Sequence, residues 1–238
     1  MGYANACTPQ SEHSPNGPPG QRSTAANTSR PGSCSAWPYY AATQAGDVDL
    51  RAHILSDVAT QQLYLGGARD CLEIIRLADG DERVHPAVRF VLHGVRARAF
   101  GALGDADGCS RQIGLAEDAY ARTKPDEAPE WMNGFLNEAH VDSVTGQAAF
   151  SLAEQTGQEE HRAESSTRLA RAVRGFDPNT RARAVALCAT RLAILDQRRD
   201  ETAAARTWMG QAVAASQDLR SVRISRDLDS AKTIVRSA

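Results

Sequence analysis

From about residue 47 to the end of the chain, apolar residues recur every three or four positions, the period of an α-helix with one face turned to a core. Leu50, Ile54, Val58 and Leu65 mark the first such face, broadened by Leu55 and Ala59, and Gly66-Gly67 interrupts it. Cys71, Leu72, Ile75 and Ala78 resume the period. Val84, Val88, Val91, Val95 and Ala99 then form a longer stripe, helped by Leu92, Phe100 and Leu103. Gly104-Asp105 turns the chain toward Cys109, Ile113, Ala116 and Tyr120. Lys124-Pro125 through Pro129 cannot continue a helix and predicts a connection. Trp131, Phe135 and Ala139 open another predicted helix, which runs to about Glu154 and breaks at Gly157. Ala163, Ala170, Val173 and Phe176 follow. Asp177-Pro178 then reads as an N-cap with proline at the first helical position. Beyond it lie Val185, Cys188, Leu192 and Leu195, a turn near Asp200, and Ala205, Met209 and Ala212. Leu219, Leu228, Ala231 and Val235 close the chain. No segment shows the alternation of a strand, so the pattern predicts an all-α protein of helix pairs joined by short turns.

Residues 1–36 are built from Ser, Pro, Gly, Asn, Thr and Gln and contain almost nothing to bury. The expectation is a disordered tail over 1–40, with Trp37 and Tyr39-Tyr40 marking where structure starts. The remainder, 41–238, divides into about four helix pairs and a C-terminal capping helix.

Each pair is a longer helix, a Gly- or Asp-centred turn and a shorter helix with small residues at fixed offsets. That is the sequence mark of a solenoid. The second unit (Ala97, Phe100, Gly104, Cys109, Ile113, Ala116) resembles the tetratricopeptide repeat closely. The first (Ala59, Gly66, Cys71, Ile75, Ala78) and fourth (Leu192, Ala193, Ala205, Met209, Ala212) resemble it in part. The third, around Ala163, is the poorest match, and Asp196 stands where an aromatic is common. The resemblance implies an antiparallel helix-pair solenoid coiled into a right-handed superhelix. Small residues let paired helices approach, and larger ones fill the space to the next pair.

A narrower likeness covers about residues 41–238. Gly46-Asp47, Ala59-Thr60-Gln61-Gln62 and Phe100-Gly101-Ala102-Leu103-Gly104-Asp105 stand in a characteristic order. After them come an acidic Pro-containing connection, the box Trp131, Phe135, Asn137, Glu138, Ala139, His140, and the cap Leu219, Ser221, Arg223. This order resembles the C-terminal repeat region of actinobacterial regulators that begin with an XRE-type helix-turn-helix. The box departs from that group at Asn137 and His140, where acids are usual, and residues 1–36 offer no helix-turn-helix. The resemblance implies the sensor or interaction part of a transcriptional regulator without its DNA-binding domain.

Composition adds limits. Hydrophobic residues make up 42% of the chain but aromatics only 5%, which suits close packing of Ala-, Leu- and Val-rich helices. The net charge of −2 conceals an uneven distribution: 18 acidic and 10 basic residues over 46–157, against 10 acidic and 15 basic over 158–238. No run concentrates five or six like charges, so the basic last third reads as an Arg-rich outer face, and no direct nucleic-acid binding is expected. Cys7, Cys34, Cys71, Cys109 and Cys188 are odd in number and unpaired in spacing, which points to a reducing, cytoplasmic setting. No apolar segment is long enough to cross a membrane, and no secretory leader pattern opens the chain.

No phosphate-binding loop, nucleophile elbow, H-E-x-x-H or C-x-x-C motif is present, so no enzyme, metal site or cofactor is expected. Trp131, Phe135 and Glu138 are spaced to share one helical face, as the wall of a ligand pocket or a packing lock. Arg96, Arg98 and Arg191 fall on the longer helices of their units, where a solenoid's groove would let them clamp a carboxylate or acidic segment. With His53, Tyr64, Asn137 and His140 they make up the candidate groove. The expected partner is a protein, a peptide or a small effector. The alternative is a homo-oligomerisation scaffold, a homodimer, with no ligand.

Overall fold

The computed structural model describes residues 32–236 apart from Asp79 and Asn133. Among the described residues it is all helix: α1 (Gly32–Gln44), α2 (Val48–Tyr64), α3 (Ala68–Arg76), α4 (Pro86–Ala102), α5 (Ala106–Ala121), α6 (Glu138–Thr156), α7 (Glu159–Gly175), α8 (Pro178–Gln197), α9 (Thr202–Ser216) and α10 (Val222–Arg236). No strand occurs among them, and no helix is long and apolar enough to cross a membrane.

Local chemistry sets the helix ends. Asp47, Asp105 and Asp177 each accept a backbone N–H of the first turn of α2, α5 and α8, and Pro178 takes the first position of α8. Gly157 ends α6 in the left-handed conformation (φ 66°), which costs a residue without Cβ little. The segment between α5 and α6 holds two short 3-10 turns, as its prolines require, and buries Met132 against α2 and α4. α1 starts earlier than composition suggested: residues 32–40, read as tail, belong to it. Tyr39 and Ala42 pack inward while Trp37 and Tyr40 stay exposed, so two apolar residues are enough to seat the helix on α2. Residues 1–31, with Cys7, lie outside the described residues.

Successive helices form antiparallel hairpins. In α4 and α5, Ala97 meets Cys109 and Ile113 while Phe90 meets Ala116 and Ala119. In α6 and α7, the Ser165 hydroxyl donates to the Gly146 carbonyl (3.0 Å) and Gly175 sits against Ala139. In α8 and α9, Ala193 meets Ala205 and Ala186 meets Ala212. The longer helices also touch in series, α2 on α4, α4 on α6 and α6 on α8.

Two sequence-derived faces shift. In α2 the buried residues are Ala52, Leu55, Ser56 and Ala59, whereas Ile54 and Val58 are half-buried and Leu65 is exposed. Large apolar residues drew attention to one stripe, but the crossing with α3 and α4 needs small ones. In α7 the small residue at the crossing is the fully buried Ser165, and Ala163 is exposed. Asp196 is buried and bonded to the side chain of Trp208, a half-buried indole from α9 that packs on three clusters of the C-terminal core. An aromatic from the neighbouring helix thus fills the space expected for one in α8.

Candidate functional site

The nine candidate residues separate into distinct places. The first is the N-terminus of α6. Asn137 is its N-cap, with Oδ1 accepting the His140 N–H at 2.9 Å, so its amide is committed to the helix end. Glu138 is exposed in the first turn. His140 stacks edge-on against Phe90 (5.6 Å between centroids) and Phe135 (6.3 Å). Burial, and then the charge of Arg181, lowers its pKa to about 4 and keeps the imidazole neutral. The Arg181 guanidinium lies over the Phe135 ring at 4.2 Å and also donates to the Gly134 carbonyl.

Trp131 is not part of that group. The helix expected to begin near it starts only at Glu138, so Trp131, Phe135 and Glu138 share no helical face. Trp131 lies in a 3-10 turn and stacks on His53 of α2 at 4.7 Å, which ties the connection to the first helix pair. The expected stripe failed because Gly134 adopts a positive φ of 80° and Asn137 leaves the helix to cap it.

Tyr64, Arg98 and Arg191 do converge, and they do so around a residue that the sequence placed only in the C-terminal cap. Arg223 of α10 places its guanidinium 4.8 Å above the Tyr64 ring, and Arg191 lies 5.6 Å above Phe150. Arg98, Arg191 and Arg223 are close enough for each charge to act on the others, and Asp227 is the carboxylate that acts on all three. Burial first, then the neighbouring guanidiniums, lowers the pKa of Arg98 to about 9, and Arg191 and Arg223 are lowered as well. The Nε atoms of Arg98 and Arg223 are enclosed without a hydrogen-bond partner. Arg96 lies half-buried on the same helix as Arg98.

Two cavities run along the seam of α6 and α8. One, of about 400 Å³, is lined by Phe135, His140, Ser143, Gln147, Arg181, Arg183 and Leu187 among others, with Leu219 closing it. The other, of about 140 Å³, is lined by Phe150, Leu187, Thr190, Arg191, Ile194, Asp227 and Ser230. Leu187 borders both, and along this seam the first holds Phe135 and His140 and the second Arg191. Sequence reasoning missed Phe150, Arg181, Leu187 and Asp227, and gave Arg223 only as part of the terminal cap. The i, i+4 spacing of Arg223 and Asp227 beside the buried Ile224 and Leu228 signals that they flank the packed face of α10, but not which helix they meet.

The thiols are poor nucleophiles here. Burial pushes Cys71 up to about 11 and Cys109 to about 12, while Cys188 shares a 3.3 Å contact with the Ser143 hydroxyl. Among the described residues no three His, Cys, Asp or Glu side chains are grouped to hold a metal ion. Compared with known proteins, the chain matches no family model, no curated protein and no solved structure.

Proposed function

We propose that this chain is a tetratricopeptide-like repeat domain that binds a peptide or small effector in the α6–α8 groove and catalyses no reaction. The observation that carries this reading is the α6–α8 seam itself, two cavities on either side of Leu187 with a mostly apolar wall and a few polar groups. The serial contacts of α2, α4, α6 and α8, each carrying its hairpin partner, support a solenoid built from repeated pairs. The protonated thiols, a neutral His140 and arginines charged at neutral pH suit recognition better than proton or acyl transfer. By its likeness to the repeat region of XRE-type regulators, the domain would act as the cytoplasmic sensor of such a regulator, reading a ligand rather than DNA.

The immobilised chain is exposed to a small-molecule and peptide extract, and bound material is identified by mass spectrometry beside a Leu187→Trp variant that fills the groove. A ligand retained by the native chain and lost from the variant supports the reading. The native chain with that ligand at 100 times Kd should gain about 2.7 kcal/mol of stability. Equal retention by both, or none by either while the variant keeps its helical circular dichroism, defeats it. The second reading, a homodimer scaffold, draws on the exposed Trp37 and Tyr40 of α1 (77% and 57% exposed). Light scattering of the native chain and of a Trp37→Ser/Tyr40→Ser variant tests it, with a dimer lost in the variant as the expected result.

A further inference from the structure

We propose that Arg98, Arg191 and Arg223 form an oxyanion-binding site that takes a doubly charged group, a phosphate monoester or a pair of carboxylates, at the Arg191 end of the α6–α8 seam. The inference rests on the groove reading above and names the chemistry of the ligand's recognised part.

Guanidiniums from α4, α8 and α10 lie near enough for their charges to act on one another, Asp227 is the carboxylate that acts on all three, and Arg191 and Asp227 line the smaller cavity. Like charges brought together out of water repel, and a fold that needed only structural support there would place a carboxylate beside each. Arg98 lacks such a partner: its Nε is enclosed and unbonded, as is that of Arg223. The other two arginines are steadied by aromatic faces, Arg191 by Phe150 and Arg223 by Tyr64, which orient a guanidinium without using its N–H donors. Arg191 gives one N–H to the Leu187 carbonyl at 3.2 Å, which fixes its side chain along α8 beside the cavity. Oriented planar donors with unspent N–H groups suit the oxygens of phosphate or carboxylate, which accept two N–H bonds from one fork. Arg183 carries the same sign of charge along the wall of the larger cavity. Phe135, Phe176 and Leu187 there would receive an apolar body attached to the anion.

The test is thermal unfolding of the full chain at constant ionic strength, with chloride replaced by inorganic phosphate or by succinate, for the native protein, Arg98→Met and Arg223→Gln. In chloride, Arg98→Met should melt about 2–4 °C above the native chain, because it removes an enclosed charge that has two like neighbours and only a shared carboxylate to offset it. Phosphate, succinate or both should raise the native melting temperature, and Arg98→Met should lose the rise, with affinity reduced at least tenfold. A response to phosphate alone assigns a phosphate monoester, and a response to succinate assigns paired carboxylates. Should Arg98→Met fail to fold, Arg223→Gln is read in its place. The site is overturned if neither anion exceeds chloride, or if the rise survives in the folded variant. A groove ligand that Arg98→Met retains as well as the native chain defeats this inference and leaves the groove reading standing. An Arg98-dependent anion response with no ligand recovered from the extract does the reverse.

Discussion

Phe90, Phe135 and Arg181 surround the ring of His140, and their combined effect is to make its protonated form costly in the folded chain. The folded pKa of about 4 lies below the ordinary value of 6.5. Between those limits the unfolded chain therefore binds a proton that the folded chain does not. Stability from this group is fully present above pH 6.5 and is lost as pH falls toward 4, by on the order of 2–3 kcal/mol. Urea unfolding of His140→Gln, compared with the native chain at pH 7 and pH 4.5, should show a smaller acid loss in the variant. Asp57 and Asp196, whose carboxyl pKa values burial raises, act with the opposite sign in both proteins, so the difference isolates the histidine.

Among the elements, glycines of α4 let α6 approach closely, and the lining of the cavities depends on that contact because α6 forms one of their walls. A Cβ on Gly94 would strike the Val144 side chain, and one on Gly101 would lie 2.7 Å from the Ala148 carbonyl oxygen. The second obstacle is backbone and cannot rotate aside. Gly101→Ala should therefore cost roughly 1–3 kcal/mol despite alanine's better helix propensity, measured as a lower denaturation midpoint with an unchanged slope. A second tie links three helices: Arg168 of α7 donates to Glu117 of α5 at 2.6 Å, to Thr145 of α6 at 3.0 Å and to Glu164 at 3.0 Å. Replacing Arg168 by Met leaves the buried Thr145 hydroxyl without that donor and should cost about 1–3 kcal/mol, against less than 1 for the exposed Arg76→Met. What the sequence disclosed at this scale follows the range of each force. The caps at Asp105 and Asp177 act within one turn, so they could be read from spacing. The glycine contacts, the rotated face of α2 and the stacking of Trp131 on His53 depend on which helix lies opposite, and a single-chain period carries no such information. For the same reason Arg98 and Arg191 were singled out by helix position, whereas Arg223, which completes their group, was visible only as part of the terminal cap.

Across the described residues, hairpins of modest-sized residues pack in series, and the last helix reaches back toward the first pair where Arg223 rests on Tyr64. That contact is worth about 0.5–2 kcal/mol. Tyr64→Leu should therefore lower the melting temperature by only a few degrees while hydrogen exchange quickens in both α10 and the last turn of α2. Exchange that quickens in only one of them would show that the two ends are not coupled. The pairing also gives the chain an optical signal of its own. A cation resting on a phenol ring perturbs its absorption and emission, so an arriving guest that draws Arg223 toward itself would alter the ultraviolet spectrum of Tyr64. Occupancy can then be followed in unlabelled protein by difference spectroscopy, with Tyr64→Phe as the blank.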